Sequence, residues 1–284
     1  MKVLEGKSPA AHETACLKPE VEKIKKHFGF PPGLAVILVG EDPASQIYVG
    51  RKIKACAEAG LQSWKKEFPS SVTLSELKSQ IQEFNENPQV HGILVQLPLP
   101  PSLNSEEVLS YINPHKDPDG LTLENRALFW AGTPRVVPCT PFGIMKMLKF
   151  YDIPIEGRNA VVVGRSQIVG LPAAGQLLSH NATVTLCHSR TKNLMEHTSQ
   201  ADIVIACAGK RGLLGREDFK KGAVVVDVGI HRGDQGLEGD VKKEGLEDWL
   251  SGLTPVPGGV GPMTIAMLVA NTVHLAGLSL TKSQ

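Results

Sequence analysis

Runs that are apolar at every position recur along this chain and stop at a glycine or a loop. They are "LAVILVG" at 34–40, the start of "VHGILVQLPLPP" at 90–101, which runs into a proline-rich loop, "NAVVVG" at 159–164, "ADIVIACAG" at 201–209 and "GAVVVDVGI" at 222–230. A strand with one wet face alternates polar and apolar residues, so a run without alternation has to be covered on both faces. That is the condition of a parallel sheet whose crossovers lay helices over it.

The segments between the runs supply those crossovers. A polar helix over roughly 16–28 is broken by "PPG" at 31–33. "QIYVGRKIKACAEAG" at 46–60 reads as a helix with Ser45 as candidate N-cap and Gly60 as its stop. "SWKKEF" at 63–68 is a short strand, and "TLSELKSQIQEFNEN" at 73–87 is a capped helix. Strand–helix–strand–helix–strand is a parallel α/β unit with right-handed crossovers. After 135 the pattern restarts with a helix in "PCTPFGIMKMLKFYDI", Pro141 near its first turn, and four strands, the second being "ATVTLCHS" at 182–189. The chain closes with the loop "TPVPGGVGPMT" and a helix apolar on nearly every side, which must be buried and is expected to pack back on one of the domains. The predicted fold class is α/β, with two α/β domains: 1–135 plus 263–284, and 136–262.

Composition removes several classes of function. A net charge of +1 gives no sustained attraction to nucleic acid or a membrane surface. The basic stretch "EKIKKHF" at 22–28 lies beside Glu20 and Glu22 and reads as a solvated helix face. Five scattered cysteines without a CxxC pair argue for a reducing compartment and against a zinc site or a disulfide framework. The N-terminus carries acidic residues and no apolar core, unlike a secretory signal or transit peptide. No apolar run approaches bilayer-spanning length. The expectation is a soluble cytoplasmic protein without a metal.

The stretch "AVVVGRSQIVGLPAAGQLL" at 160–178 is a strand, a turn and a helix, the opening of a dinucleotide-binding unit. Gly164 is placed for the tight turn, Ser166 replaces the second glycine of the usual fingerprint, and Gly170 comes one position late. Ser166 is compatible with phosphate there if the backbone stands slightly further off or its hydroxyl makes the contact. NAD-specific sheets carry a carboxylate at the end of the second strand. Here that end carries Ser189 and Arg190, which with Arg165 suit a 2′-phosphate. The loop therefore reads as an NADP site.

In the first half, Tyr48 and Lys52 stand four apart on one face of the 46–60 helix, with Cys56 one turn on. Spacing alone is satisfied by a lysine that snorkels beside a half-buried tyrosine. Gln96 ends a buried strand, where ligand contacts gather. Asp117 and Asp119 sit in "HKDPDG", a pattern that ordinary turn chemistry also explains. The loop containing Pro257, Gly258 and Gly259 is a rigid backbone surface suited to covering a flat ring, or equally a connection between domains.

Taken together, "ASQIYVGRK", "VQLPLP", "KDPDG", "PCTPFGIM", "VVVGRSQIVGLP", "CHSRT", "DVGI" and "TPVPGGVGPMT" resemble the bifunctional methylenetetrahydrofolate dehydrogenase/methenyltetrahydrofolate cyclohydrolase family, in family order from about residue 30 to 275. The resemblance implies a folate-binding catalytic domain (1–135 plus 263–284) and a Rossmann-like NADP-binding domain (136–262), with a cleft between them. It also implies a homodimer and a place in one-carbon metabolism supplying purine biosynthesis. The two reactions it implies are NADP-dependent oxidation of 5,10-methylenetetrahydrofolate and hydrolysis of the methenyl product to 10-formyltetrahydrofolate. On the matching positions, Lys52 is the catalytic lysine, Tyr48 its neighbour, Gln96 the residue that orients or tunes it, and Asp119 the carboxylate on the pterin. Gly164, Arg165, Ser166, Ser189 and Ile230 fall on cofactor contacts; Leu97, Pro257, Gly258 and Gly259 join the substrate side.

The residue types suit that chemistry. Hydride leaves with help from a neighbouring nitrogen lone pair, so the first step needs positioning more than a strong base. Hydrolysis needs proton transfer, which a lysine provides if burial lowers its pKa from about 10.4. A buried Asp119 close to Lys52 would oppose that lowering, so Asp119 is expected to face the pterin instead. Three features depart from the family pattern: Ala127 and Trp130 in "LENRALFWAG", His231 after "DVGI", and the start "SPAAHETACLKPE". Other readings are a member that kept only one activity, or a non-catalytic folate- or nucleotide-binding regulator.

Overall fold

The structure, a computed structural model, describes residues 1–233 and 236–282. The chain forms two compact units. One comprises Met1–Ala11 and Thr140–Thr264, the other His12–Cys139 and the chain from Ile265 onward.

The unit beginning at His12 is built on a three-stranded parallel sheet in the order Gln62–Phe68, Gly33–Val39, Gly92–Val95. The central strand is buried at every residue, as its unbroken apolar run requires. Ile37, Leu77, Ile81 and Ile93, at most 1% exposed, anchor its core. Each contributes on the order of 1.5–3 kcal/mol by leaving water. The Leu74–Glu86 helix starts in a capping box, with the Thr73 hydroxyl accepting from the Glu76 amide and the Glu76 carboxylate accepting from that of Thr73.

The helix that carries Tyr48 and Lys52 spans Pro43–Glu58 and starts earlier than expected. Its cap is Asp42, whose carboxylate accepts from the Ser45 amide at 2.8 Å, rather than Ser45 itself. Pro43 takes the first helical turn, where its missing N–H costs nothing. The helix expected over roughly 16–28 is Lys18–Phe28, with Pro19 in its first turn, and a further helix, Lys7–Cys16, precedes it.

The terminal helix, Val260–Lys282, corrects one expectation. Its stretch Val260–Leu280 is long and apolar enough to cross a membrane by length and composition, with mean hydropathy 1.6. Much of it is nevertheless protein core. From Ile265 on it belongs to the unit of the three-stranded sheet, and Thr272 lies close to Gly92, where an added Cβ would meet its hydroxyl at 3.1 Å.

The other unit holds a parallel six-stranded sheet. Its order is Lys2–Val3, Gly252–Leu253, Val224–Asp227, Ile203–Ala206, Asn159–Val163, Thr183–Cys187. The last four are the strands read from the sequence. The first two are only two residues each, too short for any period to reveal them. They carry residues 1–11 into this unit, whereas the sequence reading grouped them with the other domain. Val161, Val204, Val225 and Phe219 lie in its core.

Candidate active site

Two constellations stand out, one on each unit. On the first, the strand Gly92–Val95 ends at Gln96, and the Pro43–Glu58 helix brings Lys52 to it. Lys52 is 5% exposed, and its Nζ donates to Gln96 Oε1 at 3.0 Å. The amide nitrogen of Gln96 in turn donates to the Leu97 carbonyl at 2.6 Å, which settles the rotamer so that oxygen faces the lysine. The Tyr48 ring lies 4.8 Å from Nζ, so the tyrosine one turn earlier presents its π face to the amine.

Burial is the largest influence on Lys52 and pushes its pKa down; nearby Asp119, Cys139 and Cys56 push the other way without reversing it. Asp119 is close enough for the two charges to act on each other, and burial of the lysine outweighs the opposing pull that the sequence reading expected. Burial raises the Asp119 carboxyl, while Lys52 and a hydrogen bond with the Cys139 thiol lower it and Asp117 adds a smaller upward push. The turn does spend one of its two carboxylates on turn chemistry. Asp117, 2% exposed, accepts from the Thr122 amide at 2.8 Å and from Asn125 Nδ2 at 3.0 Å.

Asn125 is fully buried and also accepts from Arg135 at 2.5 Å, which ties the atypical 121–132 segment to this turn. Asn125, Cys139 and Asn271 went unnoticed in the sequence. The first and last are single polar residues in helices, and Cys139 was one of five scattered thiols.

On the other unit, Gly164 follows the Asn159–Val163 strand with φ +134°, a conformation L side chains rarely adopt, and a Cβ there would overlap the Cys207 carbonyl. The late glycine has a task too. A Cβ on Gly170 would overlap the Gly164 carbonyl, so Gly170 allows the close helix–strand approach that a fingerprint glycine normally allows. Ser166 resolves the other irregularity. Its hydroxyl accepts from the Val169 and Gly170 amides at 3.2 and 3.3 Å, capping the Gly170–Ser179 helix. Arg165, Ser166, Ser189 and Arg190 are exposed, as is Ile230 at 63%.

A glycine turn that no side chain would fit, a helix N-terminus and two arginines suit an anionic dinucleotide. Gly258, at φ +99°, accepts from the Gly6 amide at 2.8 Å, so the loop with Pro257 and Gly259 is braced by backbone contact.

The departing residue His231 also has a partner. Its Nε2 lies 2.7 Å from Asp240 Oδ1, and Asp240 accepts from the Gly209 amide at 2.9 Å. Asp227, buried at the end of its strand, accepts from the Gly229, Asp240 and Val241 amides. Among the described residues no group of three or more His, Cys, Asp or Glu is arranged to hold a metal ion.

A parallel sheet with a glycine turn, in a chain whose other α/β unit bears a buried lysine, defines a dinucleotide-dependent enzyme. Comparisons with known proteins narrow the class. Two domain profiles match: "Tetrahydrofolate dehydrogenase/cyclohydrolase, catalytic domain" over residues 4–119, and the corresponding "NAD(P)-binding domain" over 138–279. The "Bifunctional protein FolD" of Bdellovibrio bacteriovorus is 53% identical over 276 residues, 96% of each chain. Among solved structures, the FolD methylenetetrahydrofolate dehydrogenase/cyclohydrolase of Campylobacter jejuni matches with TM-score 0.94 and 46% identity over 98% of this chain and 99% of that one. The Trypanosoma brucei enzyme, solved with NADP cofactor and an inhibitor, matches with TM-score 0.92 and 37% identity over 98% of each chain. The chain therefore belongs to the tetrahydrofolate dehydrogenase/cyclohydrolase family, bifunctional enzymes of one-carbon folate metabolism.

Proposed function

We propose that this chain oxidises 5,10-methylenetetrahydrofolate to the 5,10-methenyl form with NADP and hydrolyses that product to 10-formyltetrahydrofolate. The observation that carries the reading is the buried amine of Lys52, held by Gln96 and Tyr48 with its pKa depressed.

In the hydrolytic step, neutral Lys52 accepts a proton from the water that attacks the methenyl carbon, and the resulting ammonium returns a proton to the departing ring nitrogen. The cationic substrate favours the neutral amine further. Gln96 aims the lysine. Tyr48 flanks it, and Leu97 lies beside Gln96 on the substrate side. Asp119 accepts the paired N–H donors of the aminopyrimidinone edge in bidentate fashion. The braced loop at Pro257, Gly258 and Gly259 offers flat backbone to a ring.

NADP, when bound, supplies the acceptor for the hydride. Gly164 and the helix N-terminus capped by Ser166 would hold its phosphates. Arg165 and Ser189 would bind the 2′-phosphate, and Ile230 would give an apolar contact. The absence of a carboxylate from the end of the Thr183–Cys187 strand supports NADP over NAD.

The deciding substitution is Lys52→Met. Hydrolysis should fall on the order of 10²–10⁴-fold while NADP still binds; an unchanged hydrolytic rate would remove Lys52 from the mechanism. The five cysteines are unpaired, which supports a cytoplasmic setting, and the family resemblance supports a homodimer that serves purine biosynthesis. Light scattering of the purified chain tests the oligomeric state.

A further inference from the structure

We propose that Asn271 and Cys139 are positioning residues for Asp119, acting through the Pro118 carbonyl; this rests on the reading of Asp119 as the pterin carboxylate. Asn271, 3% exposed on the terminal helix, donates through Nδ2 to Pro118 O at 2.7 Å and to Val137 O at 2.8 Å. An amide nitrogen has two hydrogens, and these two carbonyls consume both. Cys139, 4% exposed, donates through its thiol to the same Pro118 oxygen at 3.3 Å.

A thiol has one hydrogen to give. The thiol gives that hydrogen to Pro118 O, which therefore takes two donors, the short amide bond from Asn271 and the longer one from Cys139. Burial keeps that thiol well above its usual pKa, hence protonated and able to donate. The consecutive residues of the turn are then held one by one. The Asp117 side chain is pinned by Thr122 and Asn125, and the Pro118 carbonyl, which leads into Asp119, by Asn271 and Cys139. Without Asn271 the Pro118 carbonyl keeps only the weaker thiol donor and the peptide before Asp119 loosens; without Cys139 it keeps the amide donor, a smaller loss.

A double-mutant cycle on the full-length enzyme tests this. Asn271→Ala should raise the KM for methylenetetrahydrofolate roughly tenfold, and Cys139→Ala several-fold, while the KM for NADP stays put. Cys139→Ser keeps a donor and should remain near wild type, a rescue that a purely packing role would not give. In an Asp119→Ala background neither Ala substitution should raise the folate KM further. The same rise with and without Asp119, or no rise in either single variant, overturns the positioning role and leaves Asp119 in place. An Asp119→Ala enzyme with unchanged folate KM sinks the pterin assignment, and the positioning role with it. Asn271→Ala strands two buried carbonyls; if it does not fold, the Ala and Ser variants at Cys139, alone and with Asp119→Ala, carry the test.

Discussion

Replacing Gln96 by Glu exchanges the amide oxygen that accepts from Lys52 for a carboxylate oxygen of the same reach. At the observed 3.0 Å, two unit charges attract by about 5 kcal/mol at an effective dielectric near ~20. At roughly 1.4 kcal/mol for each pH unit, that sets a ceiling of about four pH units on the rise in the Lys52 pKa. Gln96 is half-buried, so solvent screens part of the attraction, and a rise of about two is the working expectation. That opposes the lowering caused by burial and shifts Lys52 toward its protonated form. The base needed for hydrolysis is then lost, and the cyclohydrolase rate should fall on the order of 10²-fold or more. Hydride departure needs no proton transfer to the lysine, so the dehydrogenase should fall much less. Both are followed in one cuvette, as NADPH formation and as decay of methenyl absorbance. Equal losses in the two activities would make Gln96 a packing residue; an unaltered hydrolytic pH profile would refute the electrostatic argument.

Arg165→Ala combined with Ser189→Ala should weaken NADP relative to NAD by roughly 10–100-fold in KM ratio, since each charge-assisted bond contributes about 1.5–3 kcal/mol; an unmoved ratio places the 2′-phosphate elsewhere. Gly164→Ala forces a side chain into φ +134° against the Cys207 backbone, with the dihedral alone costing about 1–3 kcal/mol, and should lower the melting temperature and raise the NADP KM; wild-type values for both would remove the close approach. His91, 6% exposed, accepts from the Gly33 amide at 3.1 Å, and burial first, then Lys116, depresses its pKa to about 4. The unfolded chain binds this proton from about pH 6.5 downward and the folded one only near 4, so stability should fall by up to about 3 kcal/mol across that window and level off below it. Urea titrations of His91→Asn, which keeps an acceptor but cannot titrate, should lack that component; parallel pH curves for the two proteins would contradict it.

The strands were legible because burial on both faces leaves no alternation, and the sheet turned each such run into a parallel strand. Helix starts were less legible. Asp42 displaced Ser45 as cap because Pro43 sets the first turn three positions earlier than the apolar pattern suggests. Lys2–Val3 and Gly252–Leu253 were invisible, since each is defined by a partner some 250 residues away rather than by its own residues. The electrostatic surroundings of Lys52 were hidden for the same reason. Asp119 was read as incompatible with a lowered lysine, whereas burial of the lysine outweighs the carboxylate's pull. Asn271 lies far along the chain from the turn it holds, and no local spacing announces such a contact.

The rule that made the strands readable also explains where the chemistry collects. In a parallel sheet every strand points the same way, so the carboxyl ends of neighbouring strands share one edge, and the loops leaving them are neighbours however far apart they lie in the chain. Gln96 leaves Gly92–Val95, and Lys52 sits on the helix that follows Gly33–Val39, its direct neighbour in that sheet. Gly164, Ser189 and Ile230 follow Asn159–Val163, Thr183–Cys187 and Val224–Asp227 in the other sheet. A buried run that stops at a glycine or a polar residue therefore marks both the end of a strand and a place on the reactive edge. Residues outside this rule, such as Asn271 and Cys139, come from helices and meet at the Pro118 carbonyl. They hold the turn that leads into Asp119, which is why their effects should appear in the folate KM only while Asp119 is there to be held.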